Sequence, residues 1–189
     1  MNADLLVYQA KAFYNAYIAL DQLSRDDSDT LLLLFAPLVV NGAFSVELAL
    51  KAILAKNQIE YGKEHNLLIL FQMLPKSFQQ ELWAYLIEKA PEYAGSEKGL
   101  DELILLSNAF VDWRYAFEGK PVPAIESHFL AAFANAAVHT MFSYYNADLL
   151  PATKTESNNE IEQRFHENRE KCKEINLKMI QKKTKEHQL

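Results

Sequence analysis

One cysteine, five glycines and six prolines are all that the 189 residues contain. A lone Cys172 excludes an internal disulfide framework and suits a reducing compartment. So few glycines and prolines argue against a turn-rich β fold and leave room for long unbroken helices. The chain has no Cys pair and no HExxH to hold zinc, and neither GxGxxG nor GxxxxGK[ST] to cradle a nucleotide. Ser45 and Ser107 fall in helical patterns, away from any nucleophile elbow. No basic segment followed by an apolar one marks a signal peptide. The expectation is a cytoplasmic protein without a metal or other cofactor.

Positive charge is also in short supply. Nineteen Lys and Arg stand against 25 Asp and Glu, a net charge of −6. Residues 152–189 carry nine basic and seven acidic side chains, +2, whereas residues 1–151 carry ten and eighteen, −8. An acidic body is poorly suited to gripping a long phosphate backbone, which needs many Lys and Arg contacts, although a local basic pocket is compatible with it.

What is abundant is apolar material. Half the residues are hydrophobic and 12% aromatic, ample for one core. The run Leu31–Val40 continues through Ala43, Phe44, Val46 and Leu48, but Asn41, Glu47 and Lys51 interrupt it. A membrane span needs about 20 apolar residues, so a buried central helix is the better reading. A 3.6-residue period can be followed almost throughout. It predicts helices over about 5–23, 30–57, 67–89 with an interruption near Pro75, 100–117, and 124–149. Pro37 either kinks the second helix or sits in its first turn, and Ser77 with Gln80 suggests a capping box after Pro75. Short connections favour antiparallel neighbours. The fold class expected is all-α: an antiparallel up-and-down bundle over residues 1–150, followed by a charged tail, 151–189, forming an extra C-terminal helix. In that tail Ile161, Phe165, Asn168, Cys172, Ile175 and Met179 make a short heptad-like seam that suits docking on the bundle or on a partner.

Two segments carry a resemblance. Phe44–Leu54 (FSVELALKAIL) is followed by Lys63–Pro75 (KEHNLLILFQMLP), and later comes Asn108–Glu118 (NAFVDWRYAFE). This order resembles the HEPN superfamily of helical bundles, with its Glu-x-x-Leu-Lys helix, its His-Asp/Asn-Leu turn and its arginine flanked by aromatics. The resemblance covers about residues 5–147. It implies a bundle that pairs as a homodimer and, in many members, a metal-independent ribonuclease marked by arginine and, after four to six residues, histidine. Here Arg114 is followed at those places by Gly119, Lys120 and Pro121, so that signature is not met.

Five residues stand out as a polar groove or ligand contact: Glu47, Lys51, His65, Arg114 and Glu118. Glu47 and Lys51, four apart, share one helix face, either as a functional patch or as an ion pair at the core's edge. Arg114 and Glu118 repeat the spacing. A guanidinium between Trp113 and Tyr115 either contacts phosphate or is held beside the core by a carboxylate, Glu118 or Glu47, bracing two helices. His65 sits where a helix is about to start, suited to capping or to meeting a carboxylate. His128 and His139, about 16 Å apart along one helix, are too distant to share a metal. The functional expectation is a non-catalytic HEPN-like interaction module of a toxin–antitoxin or phage-defence system, with a protein partner or with RNA or a nucleotide. The alternative is a divergent ribonuclease in which Arg114 stabilises phosphate charge and Glu47, His65 or Glu118 moves the proton. Phe129, Phe133, Phe142, Tyr144 and Tyr145 are expected to supply the face of a homodimer.

Overall fold

The computed structural model describes residues 3–25, 28–94, 97–115 and 124–145. Among them are seven α-helices and one 3-10 turn: α1 (Ala3–Ser24), α2 (Ser28–Lys56), α3 (Leu67–Met73), α4 (Lys76–Lys89), the turn Pro91–Tyr93, α5 (Glu97–Leu106), α6 (Ala109–Arg114) and α7 (Ser127–Tyr145). No strand occurs among the described residues. The chain divides into two units, Met1–Ala147 and Asp148–Leu189. The tail, its heptad-like seam and the extra C-terminal helix lie outside the described residues.

α2 is the axis of the bundle, and its sequence explains why. It is apolar on nearly every face, so it can be satisfied only by neighbours all round. Ala43, Val46, Ala49, Leu50, Ala52, Ile53 and Leu54 are fully or almost fully buried. Each large aliphatic among them contributes about 1.5–3 kcal/mol by leaving water. α2 packs against α1, α3, α6 and α7. The stretch Leu34–Lys56 is long and apolar enough to cross a bilayer, but 78% of its most apolar window is buried inside the fold. Pro37 lies within α2, and its carbonyl accepts from the Asn41 side chain at 2.7 Å.

Direction follows from pairs of touching residues. Gly42 lies against Tyr17, and Phe13 meets Phe44, so α1 runs antiparallel to α2. α7 runs antiparallel to α4, through Tyr85–His139 and Phe78–Tyr144. α2 and α7 share a direction, as alternate members of an up-and-down bundle do. Gly42 faces Leu130, and the Tyr145 hydroxyl donates to the Ala52 carbonyl at 2.9 Å.

Several sequence expectations need correction. Two of the five expected helices are each two. The 67–89 helix breaks at Leu74–Pro75, as anticipated, but Pro75 rather than Ser77 stands at the cap of α4. The Gln79 side chain spans the break, donating to the carbonyls of Gln72 and Leu74. The 100–117 helix breaks at Ser107–Asn108, which periodicity does not reveal. α7 starts at Ser127 instead of near Ala124, with the Leu130 amide bonded to the Glu126 carbonyl. The aromatic face assigned to a dimer is largely spent inside one chain: Phe129, Phe133 and Tyr145 are buried, and Phe142 and Tyr144 pack half-buried against the core.

Candidate functional site

Glu47 and Lys51 project from one face of α2 and are 1% and 7% exposed. The Lys51 ammonium donates to Glu47 Oε1 at 2.7 Å and lies 5.4 Å from the centre of the Tyr61 ring. Charges taken this far out of water persist only when paired, and the four-residue helical spacing delivers the pair. The pairing is lopsided. Oε1 also meets His65 Nδ1 at 2.9 Å, whereas Oε2 is buried with no hydrogen-bond partner among the described residues. Burial pushes the Tyr61 hydroxyl pKa up, and the Glu47 charge adds to it.

His65 is held by the turn it belongs to. Glu64 Oε1 accepts the backbone N–H groups of His65 and Asn66, at 2.9 and 2.7 Å. Asn66 is the N-cap of α3, its side-chain oxygen accepting from the Ile69 amide at 3.0 Å, the usual remedy for an orphaned amide in a helix's first turn. Its Nδ2 donates to Asn108 Oδ1 at 3.0 Å, and the Leu67 amide donates to the Ser107 carbonyl at 2.8 Å. These two bonds fasten the His65 turn to the break between α5 and α6. They explain the break: Ser107 and Asn108 leave the helix to serve a partner about 40 residues away.

α6 is thereby set beside α2. The Phe110 ring stacks on Phe44 at 4.3 Å and 13°, and Phe44 meets Phe13 edge-on at 4.5 Å. Arg114 stands one turn beyond Phe110. Its guanidinium carbon lies 4.8 Å from the Phe110 centroid and 4.6 Å from that of Tyr115, and Nη2 donates to the Tyr115 hydroxyl at 3.0 Å. The His65 ring lies against the same Phe110, centroids 6.5 Å apart.

The structure therefore brings Glu47, Lys51 and His65 into direct contact and sets Arg114 against the ring that His65 also faces. Glu118 lies outside the described residues. The expectation that Arg114 is buried beside the core is corrected: it is exposed. Glu47, one of its two expected partners, is engaged by Lys51 and His65. Trp113 turns inward onto Phe35, at 5.1 Å, and the rings against Arg114 are those of Tyr115 and Phe110. Phe110 was legible from its four-residue offset to Arg114; Phe44, Glu64 and the Asn66–Asn108 bond had no such signal. The other described histidines go elsewhere, His128 Nδ1 to Glu92 Oε1 at 2.6 Å and His139 stacked on Tyr85 at 3.8 Å.

The family profile of the HEPN domain matches residues 36–121. Residues 36–121 carry the HEPN domain. The matched HEPN stretch begins inside α2, ends beyond α6 and contains all five candidate residues, while α1 and α7 complete the bundle from outside it. No curated protein and no solved structure matches the chain significantly.

Proposed function

We propose that this HEPN domain is a non-catalytic binding module that captures a phosphate-bearing ligand, RNA foremost, at Arg114, as part of a toxin–antitoxin or phage-defence system in the cytoplasm. The observation that carries the reading is the state of Arg114. Its guanidinium is exposed, yet oriented by Phe110 and Tyr115. A guanidinium with its position fixed by rings keeps its N–H edge for a planar or tetrahedral anion and loses less freedom when the anion arrives. Stacking rings beside a cation also suit a single strand whose bases find π surfaces. The acidic body, −8 over residues 1–151, disfavours extended backbone contacts and suits a local one. The histidine of the ribonuclease signature has no counterpart at residues 119–121, which favours binding over turnover.

HEPN domains often dimerise, and a homodimer is part of the proposal. With the α7 aromatics buried, the apolar surface that supports it is on α5, where Leu100 and Ile104 are both 48% exposed one turn apart.

The test is binding of a short labelled single-stranded RNA by the purified chain and by Arg114→Ala. Loss of about tenfold or more in affinity, the scale of one charge-assisted contact, is expected. No RNA binding by the unmodified chain sinks the reading.

A second reading, ribonuclease activity, draws on one observation: His65 and Arg114 face the same ring, with His65 backed by a carboxylate. In that case Nε2 of a neutral His65 takes the proton of a 2′-hydroxyl as O2′ bonds to phosphorus. The P–O5′ bond breaks, and O5′ leaves with a proton from water. Cleavage of RNA by the purified chain, abolished in His65→Gln, decides for it.

A further inference from the structure

We propose that His65 is a second phosphate contact at this site, one that works only when its ring is charged. The inference rests on the reading that Arg114 binds phosphate.

The argument starts from Glu47. Its carboxylate is almost fully buried, and Oε1 lies 2.9 Å from His65 Nδ1. A carboxylate oxygen only accepts, so Nδ1 must carry the proton and donate it. That fixes the tautomer from behind, as a carboxylate does for many functional histidines. The consequences fall on the other nitrogen. In the neutral ring Nε2 is a bare lone pair that repels a phosphate oxygen. In the cation it is an N–H donor carrying charge. One proton converts the same atom from an obstacle into a ligand.

Position makes this relevant to the site. The His65 side chain is half exposed, and Nε2 lies on the ring edge away from Glu47, with no hydrogen-bond partner among the described residues. His65 and Arg114 both border Phe110, at 6.5 Å between ring centroids and 4.8 Å from the guanidinium carbon to the same centroid, so one extended phosphodiester strand can reach both. The turn cannot easily swing away, because Glu64 holds the His65 amide, and Asn66 and Leu67 are bonded to Asn108 and Ser107. The second oxygen of Glu47, buried and unpartnered, adds to the demand for positive charge that Lys51 alone meets through Oε1.

The ionisable groups around His65 are Glu47 and Lys51 from α2, Tyr61 and Glu64 from the connecting loop, and Arg114 from α6. Histidine is the side-chain type among them that ordinarily changes charge between about pH 5 and 8. The ligand class is an anionic phosphate, held by Arg114 throughout and by His65 only when its ring is charged.

The experiment measures the affinity of the full chain for a labelled 2′-O-methyl oligoribonucleotide, which has backbone phosphates but no hydroxyl to be cleaved at. Measurements run from pH 5.5 to 8 at fixed ionic strength. Affinity should rise about tenfold toward pH 5.5, the scale of one added charge-assisted hydrogen bond. His65→Gln should bind at every pH as the unmodified chain does at pH 8. Arg114→Ala should bind weakly throughout. A flat profile in the unmodified chain, or an unchanged slope in His65→Gln, overturns the proposal and leaves Arg114 as a phosphate site. No binding at any pH overturns both. A measurement that needs no substitution runs alongside: imidazole ¹⁵N shifts at pH 8 should report the Nδ1–H tautomer for His65. The Nε2–H tautomer there refutes the mechanism even if binding varies with pH.

Discussion

Glu47 and Arg114 each have an opposite charge four residues on in the sequence, and the two meet different fates. Lys51 follows Glu47 on α2, whereas Glu118, which follows Arg114 at the end of α6, lies outside the described residues. Glu47 and Lys51 are buried and bonded to each other at 2.7 Å, whereas Arg114 lies exposed against two rings. Spacing alone says that two side chains share a helix face. It does not say whether that face looks inward. α2 is wrapped by four other helices, so Glu47 and Lys51 at its middle are shut off from water. α6 is six residues long and borders α2 on one side, so it turns Trp113 inward, partly buried, and Arg114 out. The length of the helix and the number of its neighbours decide what one pattern becomes.

The largest effect should come from breaking the buried member of this comparison. Glu47→Ala leaves Lys51 buried without a counter-charge and should cost about 3–5 kcal/mol of folding stability, read as a lowered denaturation midpoint. A loss under about 1 kcal/mol would mean that Lys51 escapes to solvent and that the surroundings of Glu47 and Arg114 differ less than they look. Asn66→Ala should cost about 1 kcal/mol, the value of an N-cap, in the same unfolding measurement. It should also weaken RNA binding, because it removes the bond to Asn108 that holds His65 and Arg114 to a common ring. Stability lost with binding untouched would separate the turn from the site. The smallest effect on stability belongs to Arg114→Ala, within about 0.5 kcal/mol, as for exposed side chains generally. A drop of 1–3 kcal/mol there would restore the bracing role that its apolar neighbours suggest in the sequence.

The sequence discloses the helices because each carries a 3.6-residue apolar stripe, and it discloses α2 as the centre because that stripe runs all the way round. It hides the break at Ser107–Asn108, since both residues are tolerated in helices and the force that ends α5 comes from Asn66 and Leu67. Glu47 and Lys51 are legible as a pair from spacing. His65 meeting Glu47, 18 residues away, is not, although the likeness of its turn to the HEPN pattern singles the histidine out. Arg114 misleads through its apolar neighbours, which describe a helix with an inner face without saying which residue occupies it. The α7 aromatics mislead in the opposite way. They look too many for one core, yet Phe129, Phe133 and Tyr145 are absorbed by it.

The bond from the Leu67 amide to the Ser107 carbonyl gives this site its own clock. An amide inside a helix is bonded to its own element and exchanges its hydrogen for solvent deuterium when that element frays. Leu67 stands at the first turn of α3, where its amide has no helical acceptor, and it is shielded only by a carbonyl about 40 residues on. Its exchange rate therefore reports how often α6 lifts away from the His65 turn, and nothing else in α3 does. If undocking is the local opening that lets ligand in and out, deuterium uptake at Leu67 should run ahead of the buried α2 amides, and bound RNA should slow it.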